Sequence, residues 1–377
     1  MRILHLLSSP RWTGPAEPMA AVAAGLARRG HQVQVAVDGV RPGDLRERLA
    51  SLGFAPRGDL ALSTKAAPLS YLRDLWTLRR LSGGLDVLHA HFSNDHDLAL
   101  LSQVGRGRDR KVRVVRTIHS SRSLRDRAFQ GLVHRRTDGL LVPCEAHARA
   151  LREGFGVDPG RILVSRGAVD PVAFSPEGPD LRAELGLRPG QPVVGIVSRV
   201  KPERRHAALL AAFRPLAAER PEARLLVVGR GEGLPALRQQ VTRGGLEGQV
   251  VFAGYRRGPE LAAAYRTMDC KVLLAEGNDG TCRALLEAMA CGRPVVAWRF
   301  GAPAEAVVDG ETGRLVEPED VAGLTAALRA LLAAPETARA QGAAGRQRVL
   351  AAYGEERRAA EVEAFLERVR GLPPAMV

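Results

Sequence analysis

Lysine, aromatic residues and long apolar runs are scarce in this sequence. Their scarcity limits the classes of function that the sequence allows. Only four of the 377 residues are lysine, and 4% are Phe, Trp or Tyr. With so few side chains to stack on bases and no known nucleic-acid-binding motif, we expect no nucleic-acid partner. No apolar run approaches the ~20 residues of a membrane-spanning helix, so none is predicted. The opening segment RILHLLSSP is interpreted as a buried strand and loop, not as a signal peptide.

Cysteine is also rare, with single residues at Cys144, Cys270, Cys282 and Cys291. These positions show no CxxC spacing and no paired histidine motif of the kind that binds zinc. We therefore expect small buried apolar side chains in a reducing, cytoplasmic environment, with neither a disulfide nor a metal site.

Positive charge, in contrast, is abundant: the net charge is +14, carried almost entirely by arginine. Residues 106–136 contain 11 arginine and lysine residues against two acids. Such a patch favours a phospholipid surface, nucleic acid or a phosphorylated substrate. Within it, SLRDRAFQGLVHRR is expected to form one amphipathic helix, whose apolar face would consist of Leu124, Ala128, Phe129, Leu132 and Val133. This helix either docks on a sheet with a solvated basic edge or meets an anionic membrane.

Apolar runs of strand length alternate with amphipathic helical segments along most of the chain. Continuous apolar strands such as RILHLL, DVLHAH and VVRTIH indicate parallel sheets covered on both faces by helices. A Pro- and Gly-rich segment at 169–192 interrupts this order, which restarts at VVGIVSR. We predict an α/β protein with two Rossmann-like domains, 1–180 and 181–354, whose sheets face a central ligand-binding cleft.

The segment EGNDGTCRALLEAMACGRPVV, residues 276–296, contains the clearest ligand-binding signal. Gly277 and Gly280 permit close approach of a ligand, and the helix that follows presents free N–H groups and a positive dipole end to an anion. Glu287 lies eight residues after Asp279, about 12 Å along a helix. Two acids at that separation suit a nucleotide sugar, whose diphosphate lies between two hydroxyl-bearing sugars. The residues alone also allow an ordinary surface helix with solvated acids.

Cations and glycines follow two other strands of the second half. Arg199 ends the strand VVGIVSR, and Lys201, Arg204 and Arg205 come soon after it. Such a cluster suits a diphosphate, although a solvated charge run has the same composition. Gly229 ends the next strand in VVGRGEG, where a GxG pattern alone is weak evidence.

Together these segments resemble the retaining GT-B glycosyltransferases of glycosyltransferase family 4. That family has an acid, seven residues and a glutamate in a segment like EGFG…LEAMACGxPVVA, here DGTCRALLEAMACGRPVVA. Further matching motifs, in chain order, are RILHLL…LARRGHQVQVAV, DVLHAH, TIH, ILVSRGAVDPVAFSP, VSRVKPERR…LLAAF, LLVVGRGE, VVFAGY and DGETGRLVEPED. The resemblance covers almost the whole chain. It implies the GT-B architecture, with a C-terminal helix at about 355–377 joined to the first domain.

The resemblance implies a role for each matching residue around the helix. Glu287 would hold the ribose hydroxyls of the donor, and Asp279 would hold hydroxyls of the transferred sugar. The backbone N–H groups of Gly280, Thr281 and Cys282 would face sugar and phosphate.

The resemblance also assigns residues outside this helix. Arg199 and Arg204 match the cation pair that neutralises the diphosphate and would stabilise the leaving group. His119 matches the cleft histidine beside the donor sugar. The backbone near Gly254 and Tyr255 would lie beside the base of the donor nucleotide.

The sequence departs from the family pattern at four places. Asp279 replaces the usual Glu, and Arg204 replaces the usual Lys. The N-terminal loop WTGPAEP has only Gly14 where the family has more glycine. Arg283 stands at a position that is often apolar and is expected to contact phosphate. Gly14 and Gly229 are included among the expected donor-binding residues.

The resemblance implies a retaining, metal-independent hexosyltransferase without a covalent nucleophile, and family frequency favours a UDP-sugar donor. The expected acceptor is a cell-surface glycan or a lipid-linked hydroxyl, met in the cytoplasm or at the inner face of the membrane. A sugar-nucleotide epimerase or phosphorylase on the same architecture is the alternative enzyme. A nucleic-acid-binding protein is the alternative of another class.

Two further patterns are interpreted as structural. The segment NDHD at 94–97 is expected to be a loop and not a metal motif. His89 and His91 are expected to face opposite sides of a strand and to have structural roles.

Overall fold

The computed structural model describes residues 1–62, 68–106, 112–125, 129–276 and 279–375, without the side chains of residues 279–281. The chain divides into two compact units. The first consists mainly of Met1–Gly167 and Glu355–Val377, and the second of Ala168–Gly277 and Thr281–Gly354. Each unit contains a six-stranded sheet whose strands pair in parallel. The predicted α/β class with two parallel sheets is confirmed.

The first unit alternates strands and helices and ends with a helix from the C-terminal part of the chain. Its elements are β1 (Arg2–Leu7), α1 (Ala16–Arg28), β2 (Gln32–Val37), α2 (Leu45–Ser51), α3 (Pro68–Leu81), β3 (Val87–Ala90), α4 (Ser93–Leu101), β4 (Arg113–Thr117), α5 (Gln130–Arg135), β5 (Gly139–Val142), α6 (Glu145–Arg149), β6 (Ile162–Val164) and, after the second unit, α14 (Glu355–Gly371). The strand order is β2-β1-β3-β4-β5-β6. The sheet therefore grows to one side of β1 with β2 and to the other with β3.

Helix α14 completes the core of the first unit. Its Phe365 is buried in one cluster with Ile3 of β1. Gly25 of α1 lets the two helices approach closely, because a Cβ at this position would lie 2.4 Å from the Cβ of Ala359. The guanidinium of Arg113 donates to backbone carbonyls at the end of α14 and just beyond it.

The second unit repeats the alternation with a different strand order. Its elements are β7 (Val193–Val197), α7 (His206–Glu219), β8 (Arg224–Val228), α8 (Leu234–Arg243), β9 (Val250–Gly254), α9 (Gly258–Thr267), β10 (Cys270–Leu273), α10 (Asp279–Ala290), β11 (Val295–Trp298), α11 (Gly301–Ala306), β12 (Gly313–Val316), α12 (Val321–Ala333) and α13 (Pro335–Ala352). The order β12-β11-β10-β7-β8-β9 places the reversal of strand order between β7 and β10. Open α/β sheets bind ligands outside the carboxyl ends of the strands at such a point.

The Pro- and Gly-rich segment before β7 belongs to the second unit. The ring of Phe174 meets Tyr265 of α9 edge to face at 6.0 Å. Arg266 Nε donates to the carbonyl of Pro179 at 2.7 Å. These contacts explain why the second unit begins at Ala168, earlier than the expected domain boundary at 181.

The single helix predicted for SLRDRAFQGLVHRR is wrong. The described residues form a 3-10 turn at Ser121–Leu124 and the short helix α5, with residues 126–128 outside the description. The guanidinium of Arg116, almost fully buried, donates to Ser123 in this turn at 3.0 Å and ties it to the sheet. Phe129, which precedes α5, has a φ of +73° and an exposed side chain.

The expectation of a loop at NDHD is also wrong, since these residues form the first turn of α4. The carboxylate of Asp95 accepts the N–H of Phe92 at 2.9 Å, which caps the helix. Its other oxygen accepts the N–H of Ser8, so the same side chain joins α4 to the end of β1.

Candidate functional site

The loops after β7, β8 and β9 meet at the carboxyl end of the second sheet. Gly229 has a φ of +145°, and a Cβ there would lie 2.0 Å from the carbonyl oxygen of Ser198. Its N–H donates to the carbonyl of Gly254 at 2.8 Å. Only glycine fits this close approach, so the position that the sequence singled out has a backbone reason.

Aromatic and cationic side chains project near these loops. Tyr255 is half exposed directly after β9, and the guanidinium of Arg230 lies 4.5 Å from its ring centre. A half-exposed ring held by a cation offers a flat surface of the kind on which a planar base stacks.

The cations after β7 differ in their surroundings. Arg199 is exposed, and Arg204 is partly buried at the end of the 3-10 turn Pro202–Arg204. Lys201 pairs with Glu232 at 2.9 Å, and Arg205 pairs with Glu319 at 2.9 Å. Lys201 and Arg205 thus have acidic partners.

Glu287 lies in α10 and is 4% exposed. Its Oε2 accepts the hydroxyl of Tyr265 at 2.7 Å, and its Oε1 lies 3.0 Å from Nε of Arg283, one turn earlier on the helix. A buried carboxylate requires such partners, because its desolvation is otherwise costly. The pKa of Tyr265 is raised well above its ordinary value, first by burial and then by the charge of Glu287. Arg283, expected to contact phosphate, therefore contacts the second acid of the motif.

Sequence reasoning missed Lys271, which is fully buried in β10. Its Nζ has no hydrogen-bond partner among the residues that the structure describes. Burial lowers its pKa to about 7, while the nearby Cys282 and Glu287 act in the opposite direction. The detectable signal was a lysine inside the apolar run CKVLL, where a parallel strand normally has no charge.

The start of α10 is described only in part. The helix begins at Asp279, one turn before the buried Cys282. The expectation for Asp279 concerns a side chain that lies outside the description. The expectation for Gly280 and Thr281 concerns backbone N–H groups of the same first turn, and it stays a prediction. The helix start itself follows β10, the strand next to β7 at the reversal of strand order. Its free N–H groups therefore lie where an anionic ligand is expected.

The first unit contains a chain of histidines at its own reversal of strand order, between β1 and β3. His5 Nδ1 lies 3.0 Å from His91 Nε2, and His91 Nδ1 lies 3.1 Å from His119 Nε2. His89 contacts Thr117 Oγ1 at 2.8 Å. His119, expected to lie at a strand end, is buried just after β4.

His89 and His91 lie on the same side of the sheet, which corrects the expectation of opposite faces. Their rings stack with centres 4.6 Å apart. Residues two apart on a strand share a face, so the expectation misapplied the alternation rule.

Burial disfavours the charged form of three histidines in this cluster, His5, His89 and His91. Burial lowers the pKa of His5 to about 3 and holds the pKa values of His89 and His91 well below the ordinary value. A neutral imidazole has one N–H donor and one acceptor nitrogen. If His91 donates to His5 through Nε2, its Nδ1 must accept from His119, and the opposite tautomer reverses both bonds. The tautomer of His119 is thereby coupled to that of His5.

Three histidines of this group bring ring nitrogens close together. One ring nitrogen each of His5, His89 and His91 lies within 4.8 Å of the others. The planes of the three rings are inclined to each other by 20° to 32°. The contact between His5 Nδ1 and His91 Nε2 at 3.0 Å has the length of a hydrogen bond between two imidazoles.

A small pocket of about 10 Å³ adjoins this chain, lined among others by His91, His119 and Arg358 of α14. It has room for about one water molecule. Nε of Arg358 donates to Ser165 at 3.1 Å. The C-terminal helix therefore contributes a cation to the surroundings of the histidines.

Two further expectations concern the first unit. Gly14 lies exposed in the turn before α1, where Ala16 donates to the carbonyl of Thr13 at 3.0 Å. The basic region 106–136 is not one solvated patch, since Arg113 and Arg116 are buried. Both donate to the protein interior, so part of the positive charge counted in this region is structural. No helix in the described ranges is long and apolar enough to cross a membrane.

Comparisons with known proteins bear on the fold and the family of this chain. The fold is similar to that of HepE from Anabaena, solved in complex with UDP and glucose. The TM-score is 0.82, the identity 19%, and the match covers 97% of this chain and 99% of that one. The fold is therefore the two-domain α/β architecture of the GT-B class. The family model "Glycosyltransferase Family 4" matches residues 16–173, and "Glycosyl transferases group 1" matches residues 178–348. The chain belongs to glycosyltransferase family 4.

Curated relatives show higher identity over shorter segments. The chain is 34% identical to the D-inositol 3-phosphate glycosyltransferase of Segniliparus rotundus, over 57% of this chain and 49% of the relative. It is 37% identical to the GDP-mannose-dependent alpha-(1-6)-phosphatidylinositol monomannoside mannosyltransferase of Mycolicibacterium smegmatis, over 47% of this chain and 49% of the relative. The chain thus spans about half the length of these relatives.

Proposed function

We propose that this chain is a retaining glycosyltransferase that moves a hexose from a nucleotide diphosphate sugar to a hydroxyl group of a glycan or lipid-linked acceptor. The observation that carries the proposal is the buried Glu287, held by Tyr265 and Arg283 on the helix that starts at the strand-order reversal of the second sheet. Membership of glycosyltransferase family 4 supports it.

In this proposal the second unit binds the donor. Glu287 accepts the ribose hydroxyls, and Tyr265 and Arg283 hold the carboxylate in one orientation before the ligand arrives. The first turn of α10 receives the diphosphate on its free N–H groups. Arg199 and Arg204 supply positive charge as the diphosphate leaves. Tyr255 and Gly254 flank the base.

The transferred sugar is proposed to meet Asp279 and His119. The ring of His119 is oriented by its hydrogen bond to His91, so its other nitrogen has a defined direction. No covalent nucleophile is assigned, and we propose that no metal ion is needed. An unchanged rate of transfer in the presence of a chelator is the expected result.

The names of the relatives bear on donor and acceptor. One relative is named for GDP-mannose, whereas HepE was solved with UDP and glucose. The UDP-sugar favoured by the sequence therefore remains one of two donors to test. Both named acceptors, inositol 3-phosphate and a phosphatidylinositol mannoside, contain a phosphate group. We propose a phosphorylated acceptor, which suits the arginine-rich composition.

A thermal-shift screen of UDP-, GDP- and ADP-sugars, with the free nucleotides, tests the donor site. One class of nucleotide sugar is expected to stabilise the wild type. In Glu287→Gln we expect the affinity for both the sugar nucleotide and the free nucleotide to fall by roughly 10–100-fold, because hydrogen bonds to a charged group are lost. Asp279→Ala is expected to weaken the binding of the sugar nucleotide and to leave the binding of the free nucleotide unchanged. Glu247→Ala, an exposed glutamate elsewhere in the second unit, is the matched control.

Two results would count against the proposal. One is a wild type that no nucleotide sugar stabilises. The other is equal loss of free-nucleotide binding in the Asp279 and Glu287 variants, which would refute the division of roles. Incubation of the protein with the identified sugar nucleotide and no acceptor distinguishes a transferase from the alternative enzyme. An epimerised sugar nucleotide as the product would identify a sugar-nucleotide epimerase.

A further inference from the structure

Strand β10 places a lysine under helix α10. Its neighbours Cys270 and Val272 belong to the apolar cluster that the second sheet forms with α7 and α12. Successive side chains of a strand point to opposite faces, so Lys271 points away from that cluster. Its amine interacts electrostatically with Cys282 and Glu287, both on α10. The lysine therefore lies on the face of the sheet that α10 covers.

The amine of Lys271 is enclosed without a hydrogen-bond partner. The side chain is fully buried, and none of the described residues accepts a hydrogen bond from its Nζ. The residues paired with it on the adjacent strands are Gly195 of β7 and Val295 of β11, which have no polar side chain. Burial of an unpaired ammonium is costly, and it lowers the pKa of Lys271 to about 7. Near neutral pH the amine is therefore close to the midpoint of its titration.

The negative charge near Lys271 is shared with another cation. Glu287 favours the charged form of the lysine, but its Oε1 lies 3.0 Å from Nε of Arg283. Its Oε2 accepts the hydroxyl of Tyr265 at 2.7 Å. Arg204 acts in the opposite direction and disfavours a second positive charge. An additional anion close to this group would shift Lys271 towards the ammonium form.

The residues that act on Lys271 belong to three parts of the proposed donor site. Arg204 is proposed to neutralise the diphosphate, Cys282 lies in the first turn of α10, and Glu287 is proposed to bind the ribose. Lys271 interacts electrostatically with each of them. Its strand also lies next to β7 at the reversal of strand order. A diphosphate bound at that point brings negative charge near the buried amine, where water screens the interaction less than in bulk solvent.

We propose that Lys271 takes up a proton when a nucleoside diphosphate binds to the second unit, and that the resulting ammonium stabilises the bound diphosphate from beneath α10. The proton comes from the buffer and forms the third N–H bond of the amine, so no other bond forms or breaks. The inference rests on the proposed function and adds a buried cation to its donor site. It makes the affinity for the nucleotide depend on pH, with tighter binding where the proton is available.

The other charged and titratable groups near Lys271 can be separated from it. Arg204 and Arg283 keep their protons at any pH used for binding. The pKa of Tyr265 is raised well above its ordinary value, first by burial and then by Glu287, so its hydroxyl keeps its proton at pH 8. Proton uptake by Cys282 or Glu287 would persist in a variant without Lys271. Substitution of the lysine therefore identifies the group that takes up the proton.

Isothermal titration calorimetry of the full chain with UDP, GDP and ADP tests the proposal. Titrations at pH 8 in Tris and in HEPES, which differ in heat of ionisation, give the number of protons taken up per nucleotide. The terminal phosphate, with a last pKa near about 6, has already lost its proton at that pH. For the nucleotide that binds, we expect the wild type to take up roughly half a proton or more. Its affinity should fall roughly fivefold between pH 7.5 and 8.5.

Lys271→Met should bind the same nucleotide with almost no proton uptake. Its affinity should be about tenfold weaker than that of the wild type at pH 7, and the two should approach each other near pH 9, where the wild-type lysine is also neutral. Val272→Ala is the matched control, since Val272 is buried in the same strand on the opposite face. It loses apolar contacts but keeps the amine, so its proton uptake should equal that of the wild type.

Three outcomes would overturn the inference. If a nucleotide binds the wild type without proton uptake at pH 8, the inference is wrong and the proposed donor site stands. If Lys271→Met takes up as many protons as the wild type, another group is responsible. If the uptake is lost equally in Val272→Ala, it reports the packing of β10 and not the amine. If none of the three nucleotides binds the wild type, the proposed donor site is wrong and the inference falls with it.

Discussion

The two units bury different kinds of polar group near the reversals of strand order in their sheets. In the first unit, His5, His91 and His119 lie at the reversal of strand order and bond to each other. In the second unit, Glu287 is held by Arg283 and Tyr265 near the equivalent point. Burial keeps His5 and His91 neutral, whereas the carboxylate of Glu287 keeps a cationic partner. An α/β unit can thus bury polar groups either as hydrogen-bonded histidines or as paired charges.

This difference matches the chemistry proposed for each unit. A diphosphate and a ribose need fixed charges and fixed acceptors, which the second unit has. A neutral histidine chain exchanges donor and acceptor roles without a net change of charge. It suits the orientation of a group near an uncharged sugar better than the binding of an anion.

The largest effect is expected for the charged network. In Tyr265→Phe, Glu287 loses the hydrogen bond from the Tyr265 hydroxyl, and the free energy of unfolding should fall by about 1.5–3 kcal/mol, the usual contribution of a hydrogen bond to a charged group. Chemical denaturation monitored by circular dichroism measures it. Tyr255→Phe is the control, because the ring of Tyr255 is half exposed. This variant should change the free energy of unfolding little. An equal loss in both variants would show that the bond to Glu287 contributes nothing specific.

A smaller effect of opposite sign is expected at Lys271. Lys271→Met removes a buried cation that has no described hydrogen-bond partner and should raise the free energy of unfolding at pH 7 by about 1–2 kcal/mol, since the lost attraction to Glu287 offsets part of the gain.

The pH dependence gives a sharper test of Lys271. Its folded-state pKa of about 7 lies below its ordinary value of 10.5, so the unfolded chain binds the proton more tightly. Wild-type stability should therefore rise between about pH 7 and 10.5, by up to about 1.4 kcal/mol per pH unit from this residue. Lys271→Met should lack that contribution, and Lys201→Met, a partly exposed lysine paired with Glu232, should retain it. Identical slopes in all three proteins would contradict the lowered pKa.

The smallest effect is expected in the histidine chain. His5→Asn should cost about 1 kcal/mol at pH 7, because one hydrogen bond to His91 is weakened. The pKa of His5 is lowered from 6.5 to about 3, so the unfolded chain takes up the proton first as the pH falls, and stability is lost across that window. Between pH 6.5 and 3, His5→Asn should lose stability less steeply than His31→Asn. His31 is the control because it contacts Glu363 and does not belong to the row of hydrogen-bonded histidines. A steeper acid loss in His5→Asn would refute a neutral buried His5.

Much of the fold followed from local patterns. The continuous apolar strands, the break before β7 and the helix around Glu287 all depend on neighbouring residues, and the structure contains each of them. The expectations that were wrong depend on distant contacts. Arg116 holds Ser123 in a short turn where sequence periodicity indicated a longer helix. Asp95 caps a helix where composition indicated a loop.

The sequence by itself determined the alternation of strands and helices, the family and the spacing of Asp279 and Glu287, because these are properties of adjacent residues and short motifs. Only the tertiary structure decided which polar groups are partners. It joined Glu287 to Tyr265, linked three histidines that lie on or just after separate strands, and left Leu72 and Trp76 exposed on α3. Such pairings join residues far apart in the chain, and their energies depend on burial, which no local pattern specifies.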